Sequence, residues 1–304
     1  MNNVTSITLS ISAVERETKL SKDVLRAWEK RYGFPAPQRD ANGERCYPAW
    51  QVERLRLMRR LMDHGHRPGH LAALPAEELA SLLPRHSACP TPYPQRNGGA
   101  IEQLLATVKD DPAAFPHSMQ QQLAREGLER FVEHIAAPLT TAVGQRWEDG
   151  SFEVFNEHFY TEETARVLRK AIAALPRAGG APRILLTTLP GEAHGLGLLM
   201  AEALLALDGA ACASLGTETP LLDIARAAPA FGAEIVALSF SAAYPHRQIG
   251  AALRQLRLAL PAGIAIWAGG AGIASQAPIE GVRCLPTLGD GRRALADFRL
   301  ESME

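Results

Sequence analysis

Five short apolar runs recur through the second half of this chain: RILLTTL from Arg183, AACASLG from Ala210, EIVALSF from Glu234, IAIWAG from Ile264 and GVRCLPT from Gly281. Each is too short for a buried helix, and helical segments lie between them. Strands that alternate with helices re-enter a sheet from the same end and therefore pair in parallel. The pattern predicts an α/β domain over residues 178–304, a doubly wound, five-stranded parallel sheet. In such sheets ligands sit at the carboxyl ends of the strands, so the loops that follow the runs are where chemistry is expected.

The rest of the 304-residue chain reads as three further pieces. Residues 1–83 show short helical patterns with a loop. Residues 84–99, PRHSACPTPYPQRNGG, carry four prolines and no apolar period, which predicts a linker. From 100 to 177 apolar residues return at helical spacing, as in Leu128, Phe131, Val132, Ile135, Leu139 and Val143, and again in Val154, Phe155, Val167, Leu168 and Ile172. That spacing predicts a small helical bundle. No run of about 18 apolar residues occurs, and the first residues lack the basic-then-apolar pattern of a secretion signal, so no membrane and a cytoplasmic address are expected. The cysteines, Cys46, Cys89, Cys212 and Cys284, form no C-x-x-C pair and carry no zinc or disulfide pattern.

Charge separates the first piece from the others. Ile11 to Arg67 holds 13 Lys/Arg against 8 Asp/Glu in a chain of net charge −1, so a polyanion would dock here. Ser12 is expected to cap a first helix, Lys19-Leu20 to make a tight turn, and Ser21 to cap a second helix, KDVLRAWEKRY. Val24, Leu25 and Trp28 share one face of that second helix, which leaves Lys22, Asp23, Arg26 and Lys30 outward. Alone, this also fits an ordinary surface helix. An Asn42-Gly43 turn between Arg39 and Arg45 then predicts a hairpin, with Pro48 opening the next helix. Three histidines in DHGHRPGH, His64, His66 and His70, have no thiolate or carboxylate at ligand spacing and read as a solvated loop.

Two other stretches invite chemistry. After the first strand comes LPGEAHGLGLL, with Glu192, His194 and Gly197 as E-x-H-x-x-G; a loop histidine with a local hydrogen bond would account for it equally well. In the bundle, RWEDGSFEVFNEHFYTEE places Trp147 nine residues before Glu157-His158, with Asp149-Gly150 as the turn between two helices. Trp147 as core and the acid–histidine pair as solvated residues is the plain reading.

The order of the N-terminal motifs, L-R-x-W-E, P-x-P-x-R, N-G-x-R-x-Y and an arginine-rich helix, resembles the MerR family of winged-helix transcription regulators. The resemblance implies double-stranded operator DNA as partner, contacted by Lys22, Arg26, Arg39, Arg45 and Tyr47, and action as a dimer. E-x-H-x-x-G resembles the D-x-H-x-x-G motif of cobalamin-binding domains. By that resemblance His194 ligates cobalt from below, Glu192 steadies it, and Ser239, Ser241, Gly269 and Gly270 line the cleft for the cofactor's nucleotide tail. A carboxylate is retained at the Asp position, whereas Phe240-Ser241 departs from the S-x-L pattern. Together with these motifs, W-x9-E-H resembles the cobalamin-dependent photoreceptor regulators of the CarH type, in the same domain order.

That resemblance implies adenosylcobalamin as cofactor. Trp147 would pack against its upper group, Glu157 would contact that group, and His158 would take the cobalt after light. It further implies a repressor that holds DNA as a homo-oligomer, a tetramer in the dark, and that carries out no enzymatic turnover. A regulator of the same build that answers cobalamin, another ligand or a protein partner without light stays open as the alternative. Cobalamin methyltransferases also join a helical cap to such a domain, but the three pieces leave no stretch for a barrel.

Overall fold

The computed structural model describes residues 8–63, 66–75, 78–79, 82, 98–176 and 180–302. The proline-rich stretch up to Asn97, and His64, lie outside the described residues. The chain divides into two compact units, residues 1–90 with 145–152, and 91–144 with 153–304. None of the described helices is long and apolar enough to cross a membrane.

In the first unit, β1 (Thr8–Ser10), β2 (Gln38–Arg39) and β3 (Arg45–Pro48) form an antiparallel sheet in the order β1-β3-β2, with helices α1 (Ile11–Thr18), α2 (Lys22–Tyr32), α3 (Ala49–Asp63) and α4 (Pro68–Ala73) around it. Ser10 rather than Ser12 caps α1, its hydroxyl accepting from Ala13 N at 3.3 Å, because the chain turns directly out of β1 into the helix. Lys19 takes the left-handed turn at φ 57° and Ser21 caps α2, as the sequence predicts. Gly43 at φ 78° turns the hairpin. Pro48 does not open the next helix; it stays paired to Thr8 at the end of β3, and α3 starts at Ala49. Val14, Leu25, Trp28, Phe34, Tyr47, Leu55 and Met58 make the core of this unit.

In the second unit the bundle comprises α5 (Gly98–Asp110), α6 (Phe115–Glu126), α7 (Leu128–Phe131), α8 (Ala137–Glu148) and α9 (Val154–Ala173), with α8 running on into residues of the first unit. Between α7 and α8 lies one π-helical turn, Val132–Ala136, in which Ala137 N reaches Val132 O. Pro138 accounts for the irregular turn, because it has no N–H for the usual bond to His134 O. Gly150, at φ 77°, makes the expected turn before α9. The buried face of α9 runs through Asn156, Tyr160, Glu163, Thr164, Val167 and Leu168. Phe155, expected on that face, falls outside it and is 66% exposed.

The sheet matches the five runs: β4 (Arg183–Thr187), β5 (Ala211–Gly216), β6 (Ile235–Ser239), β7 (Ala265–Gly269) and β8 (Val282–Leu285) are parallel in the order β5-β4-β6-β7-β8. Alternation along the strands divides the core. Ile184, Leu186, Ile235 and Trp267 pack against α10 (Leu196–Leu207) and α13 (Leu288–Glu301). Leu185, Val236, Leu238 and Ile266 pack on the other face, against α11 (Leu221–Ala230) and α12 (His246–Ala259). The chain runs from β4 to β5 on one side and then crosses back over β4 to β6 on the other, so the crevice of this doubly wound sheet opens at the carboxyl ends of β4 and β6. Helix α9 packs on α10, and Arg292 of α13 joins Asp208, through bonds of 2.7 and 2.9 Å, to Glu129 of α7 and Glu133. Bundle and sheet are therefore held together at the same side of the crevice helix.

Candidate functional site

Loop residues 188–195 carry the chain from β4 into α10, and Gly191 adopts φ 84°, a conformation that favours glycine. This turn sends Glu192 inward, where its carboxylate is fully buried. A buried carboxylate needs partners, and it has four donors. Oε1 accepts from His194 N at 3.0 Å and meets His194 Nδ1 at 2.6 Å; Oε2 accepts from Ser241 N at 2.7 Å and Ser241 Oγ at 2.8 Å. Burial pushes the Glu192 carboxyl upward, but the hydrogen bonds from His194 and Ser241 outweigh it and hold the carboxyl below its usual range.

His194 is oriented by this arrangement. Its Nδ1 is taken by Glu192, with Ser241 Oγ at 3.1 Å, whereas the side chain is 62% exposed and Nε2 bonds to none of the described residues. The Glu192 hydrogen bond raises the pKa of the imidazole against the opposing effect of burial. The Glu157 carboxylate adds to the rise, so α9 brings Glu157 close enough for its charge to act on His194. Bonding of Nδ1 to a carboxylate is the usual way to fix a ring and make its other nitrogen a better donor to a metal.

The glycines keep the site open and its loops close. A Cβ on Gly197 would come 3.1 Å from Ser239 Oγ, which places Ser239 against the start of α10. Gly270 has φ 97°, and a Cβ there would collide with the Phe240 carbonyl. Phe240 N donates to Gly269 O at 2.9 Å, so the Gly269-Gly270 turn lies directly on the segment that supplies Ser241. The departure from S-x-L thus has a use in this chain: Ser241, at the altered position, is the residue that binds Glu192.

In the bundle, His158 is 74% exposed on α9 and bonds to Glu157 alone, Nδ1 to Oε2 at 2.8 Å; Glu157 Oε1 also accepts from Thr161 Oγ1 at 2.8 Å. Trp147 is half-buried near the end of α8, in the 145–152 stretch that groups with the first unit. The structure therefore joins Glu192, His194 and Ser241 in one hydrogen-bonded set, while Glu157 acts on His194 through its charge and is bonded instead to His158 and Thr161.

Of the residues expected to meet DNA, Arg26 and Arg39 are exposed, with local bonds to Asp23 and to Gly43 O. Lys22 is partly exposed beside Glu15 at 3.8 Å. Arg45 donates from Nε to Glu29 Oε2 at 2.8 Å and ties the hairpin to α2. Tyr47 is a correction: it is fully buried in the core of the first unit and cannot reach a groove. Two residues apart on one strand, Arg45 and Tyr47 share a face that points at α2, with Arg45 at the rim and Tyr47 one pleat deeper. Of the histidines read as a solvated loop, His66 is partly exposed, and His70 is exposed but lies on α4 rather than in a loop. Thr188, which opens the histidine loop at the end of β4, and Glu218, which bonds to that loop from the β5 side, carry no motif; a threonine pair closing an apolar strand is the one sign of Thr188 in the sequence.

A helix-turn-helix unit with a hairpin wing, followed by helices and a parallel sheet bearing a carboxylate-steadied histidine at its crevice, defines a ligand-reading DNA-binding regulator. Residues 9–76 match the MerR HTH family of regulatory proteins, and residues 102–175 match the B12 binding domain. The chain is 30% identical over 265 residues to the HTH-type transcriptional repressor CarH of Myxococcus xanthus, covering 84% of this chain and 86% of that protein. It is 28% identical over 235 residues to the repressor CarA of the same organism, covering 77% of each. It belongs to this family of MerR-type transcriptional repressors with a B12-binding domain. In fold, 66% of the chain superposes on 99% of the Methanosarcina barkeri monomethylamine corrinoid protein, with a TM-score of 0.53 and 17% identity.

The residues present fit a corrinoid. A flat macrocycle needs an open loop beneath it and one nitrogen donor aimed outward, and the 188–195 loop offers an unpartnered imidazole Nε2 whose other nitrogen is already held.

Proposed function

We propose that this chain is a light-responsive transcriptional repressor, which binds operator DNA in the cytoplasm as an adenosylcobalamin-stabilised oligomer in the dark and lets go on illumination. The single observation that carries the reading is the His194 ring, fixed at Nδ1 by the buried Glu192 and open at Nε2. Bound adenosylcobalamin supplies visible absorption and a photolabile cobalt–carbon bond, neither of which amino-acid side chains provide.

The chain's own residues do the rest. His194 would hold the cobalt through Nε2, and Glu192 would keep the proton on Nδ1 so that Nε2 stays the donor. Ser241 fixes Glu192, while Ser239, Gly197, Gly269 and Gly270 would leave room for the nucleotide tail. Trp147 would pack against the group that the cobalt carries, and Glu157 would contact it. His158, held only by Glu157, is the second imidazole, free to change partners. Lys22, Arg26 and Arg39 supply DNA contacts, mainly to phosphate, so affinity falls with added salt. A small shift of α9 is enough to spoil a packed interface between copies, because such interfaces have discrete arrangements. These roles use no substrate turnover.

The test loads the purified full chain with adenosylcobalamin and measures its size, its spectrum and its retention of a DNA pool, before and after green light. The reading expects a coloured oligomer that retains DNA in the dark and both shrinks and releases DNA after light. Colour and DNA retention indifferent to light would leave a cobalamin regulator without photoreception. A colourless protein would remove the cofactor from the account.

A further inference from the structure

The loop that carries Glu192 and His194 is gripped from both sides, and only one grip lies in the motifs. On the β6 side Ser241 binds the Glu192 carboxylate. On the β5 side the partner is the loop between β5 and α11. Thr188, fully buried at the end of β4, donates its hydroxyl to Glu192 O at 2.6 Å and accepts at the same oxygen from Glu218 N at 2.8 Å. Glu218 returns the contact, its Oε1 accepting from Gly191 N at 3.3 Å. Backbone bonds complete the seam: Thr188 N to Gly216 O at 3.3 Å and Thr219 N to Thr188 O at 3.0 Å. Thr187 adds a hydroxyl bond to Thr219 Oγ1 at 2.7 Å.

Glu218 adopts φ 58°, one of two non-glycine residues with positive φ in the described chain. Glycine is the usual occupant of that conformation, so a side chain there is retained against local preference. Here the left-handed turn points Glu218 N at Thr188, and the side chain that glycine lacks reaches Gly191.

We infer that Thr188 and Glu218 are positioning residues that set the height and tilt of the His194 imidazole, through the peptide at Glu192, toward a corrinoid cobalt. The inference rests on the reading of His194 as cobalt ligand. It adds that the β5–α11 loop, which carries none of the recognised motif residues, is part of the ligand-orienting apparatus. Ser241 fixes the Glu192 carboxylate and Thr188 fixes the Glu192 carbonyl; with both ends held, the carboxylate that steers Nδ1 cannot swing. Thr188 is fully buried and acts through the Glu192 peptide, and Glu218 acts through Thr188 and Gly191.

The experiment compares wild type, Thr188→Val, Thr188→Ser and Glu218→Gly in the full chain. Each is titrated in the dark with adenosylcobalamin and with adenosylcobinamide, which carries no nitrogen base, so that the nitrogen-ligated fraction in the absorption spectrum of the second comes from the protein. Far-ultraviolet circular dichroism and the melting temperature check the fold. Thr188→Val keeps the shape and removes the hydroxyl; it is expected to weaken binding on the order of tenfold, the scale of losing a partner that orients a metal ligand, and to lower the ligated fraction. Thr188→Ser restores both. Glu218→Gly relieves the left-handed strain and deletes the side chain that accepts from Gly191 N while keeping the Glu218 N–H for Thr188, so it folds at least as well, and binding is expected to weaken about twofold to fivefold, the scale of one hydrogen bond. Should Thr188→Val fail to fold, Glu218→Gly decides. Folded variants whose ligated fraction and affinity equal those of wild type overturn the inference. A wild type that binds cofactor without protein nitrogen ligation instead overturns the reading of His194 beneath it.

Discussion

The Glu192–His194 pair is anchored by a carboxylate with no exposure and four hydrogen bonds, whereas the Glu157 carboxylate is partly exposed and has two, to His158 and Thr161. Both join a glutamate oxygen to a histidine Nδ1, at 2.6 and 2.8 Å. The difference is in what surrounds the glutamate. Burial removes water as a competitor and makes each bond to Glu192 count, so that ring is preorganised. Glu157 is partly exposed, so solvent screens its hold on His158 and the ring can leave at little cost. One imidazole is built to stay and the other to move.

The largest effect belongs to His194→Ala. It removes the donor itself, and affinity for adenosylcobalamin in a dark titration is expected to fall by on the order of 100-fold or more, the upper range for disturbing a ligand's support. Affinity within a factor of about two of wild type would take His194 out of the site. Glu192→Ala comes next, with roughly a 10- to 100-fold loss and a lower melting temperature, because Ser241 N and His194 N lose their acceptor. Ser241→Ala leaves the Ser241 N–H bond to Glu192 in place and is expected to cost about 1 kcal/mol of binding, roughly fivefold.

The smallest dark effect is that of His158→Ala. Dark affinity is expected to stay within about twofold of wild type, since one exposed pair contributes roughly 0–1 kcal/mol. After green light, this variant is expected to lack the spectrum of a cobalt held by two imidazoles, which wild type develops. A dark affinity as damaged as that of His194→Ala would erase the contrast between the two pairs, and an unchanged illuminated spectrum would remove His158 from the scheme.

Periodicity and turn chemistry made much of this fold legible. The five runs that end near Thr187, Gly216, Ser239, Gly269 and Leu285 are the five strands; the three central ones are largely buried and continuously apolar, and the edge strands β5 and β8 are more exposed. Ser21, Lys19 and Gly43 serve the turns expected of them, since capping and positive φ are local requirements. Where tertiary context decides, sequence alone falls short. Ser10 displaced Ser12 because β1 runs straight into α1, and Tyr47 turned inward because its side of β3 closes the core that Val14, Leu25 and Leu55 share. Phe155 fits a helical period but falls off the stripe through Tyr160 and Thr164. At the site, E-x-H-x-x-G names residues close together in sequence; the bonds from Ser241 to Glu192 and from Glu218 to Thr188 join segments about 30 to 50 positions apart, which periodicity does not report.

The claim that most needs testing is that the lower nitrogen on cobalt is the His194 imidazole. The decisive measurement is electron paramagnetic resonance of the full chain loaded with the paramagnetic cobalt(II) form of cobalamin, prepared with natural-abundance and with 15N-labelled histidine. Coupling to one protein nitrogen is expected to split the high-field lines into triplets with 14N and doublets with 15N, and His194→Ala is expected to lose this label dependence. Triplets that persist in the 15N-histidine protein would mean that the nitrogen belongs to the cofactor's own base, and would contradict the account.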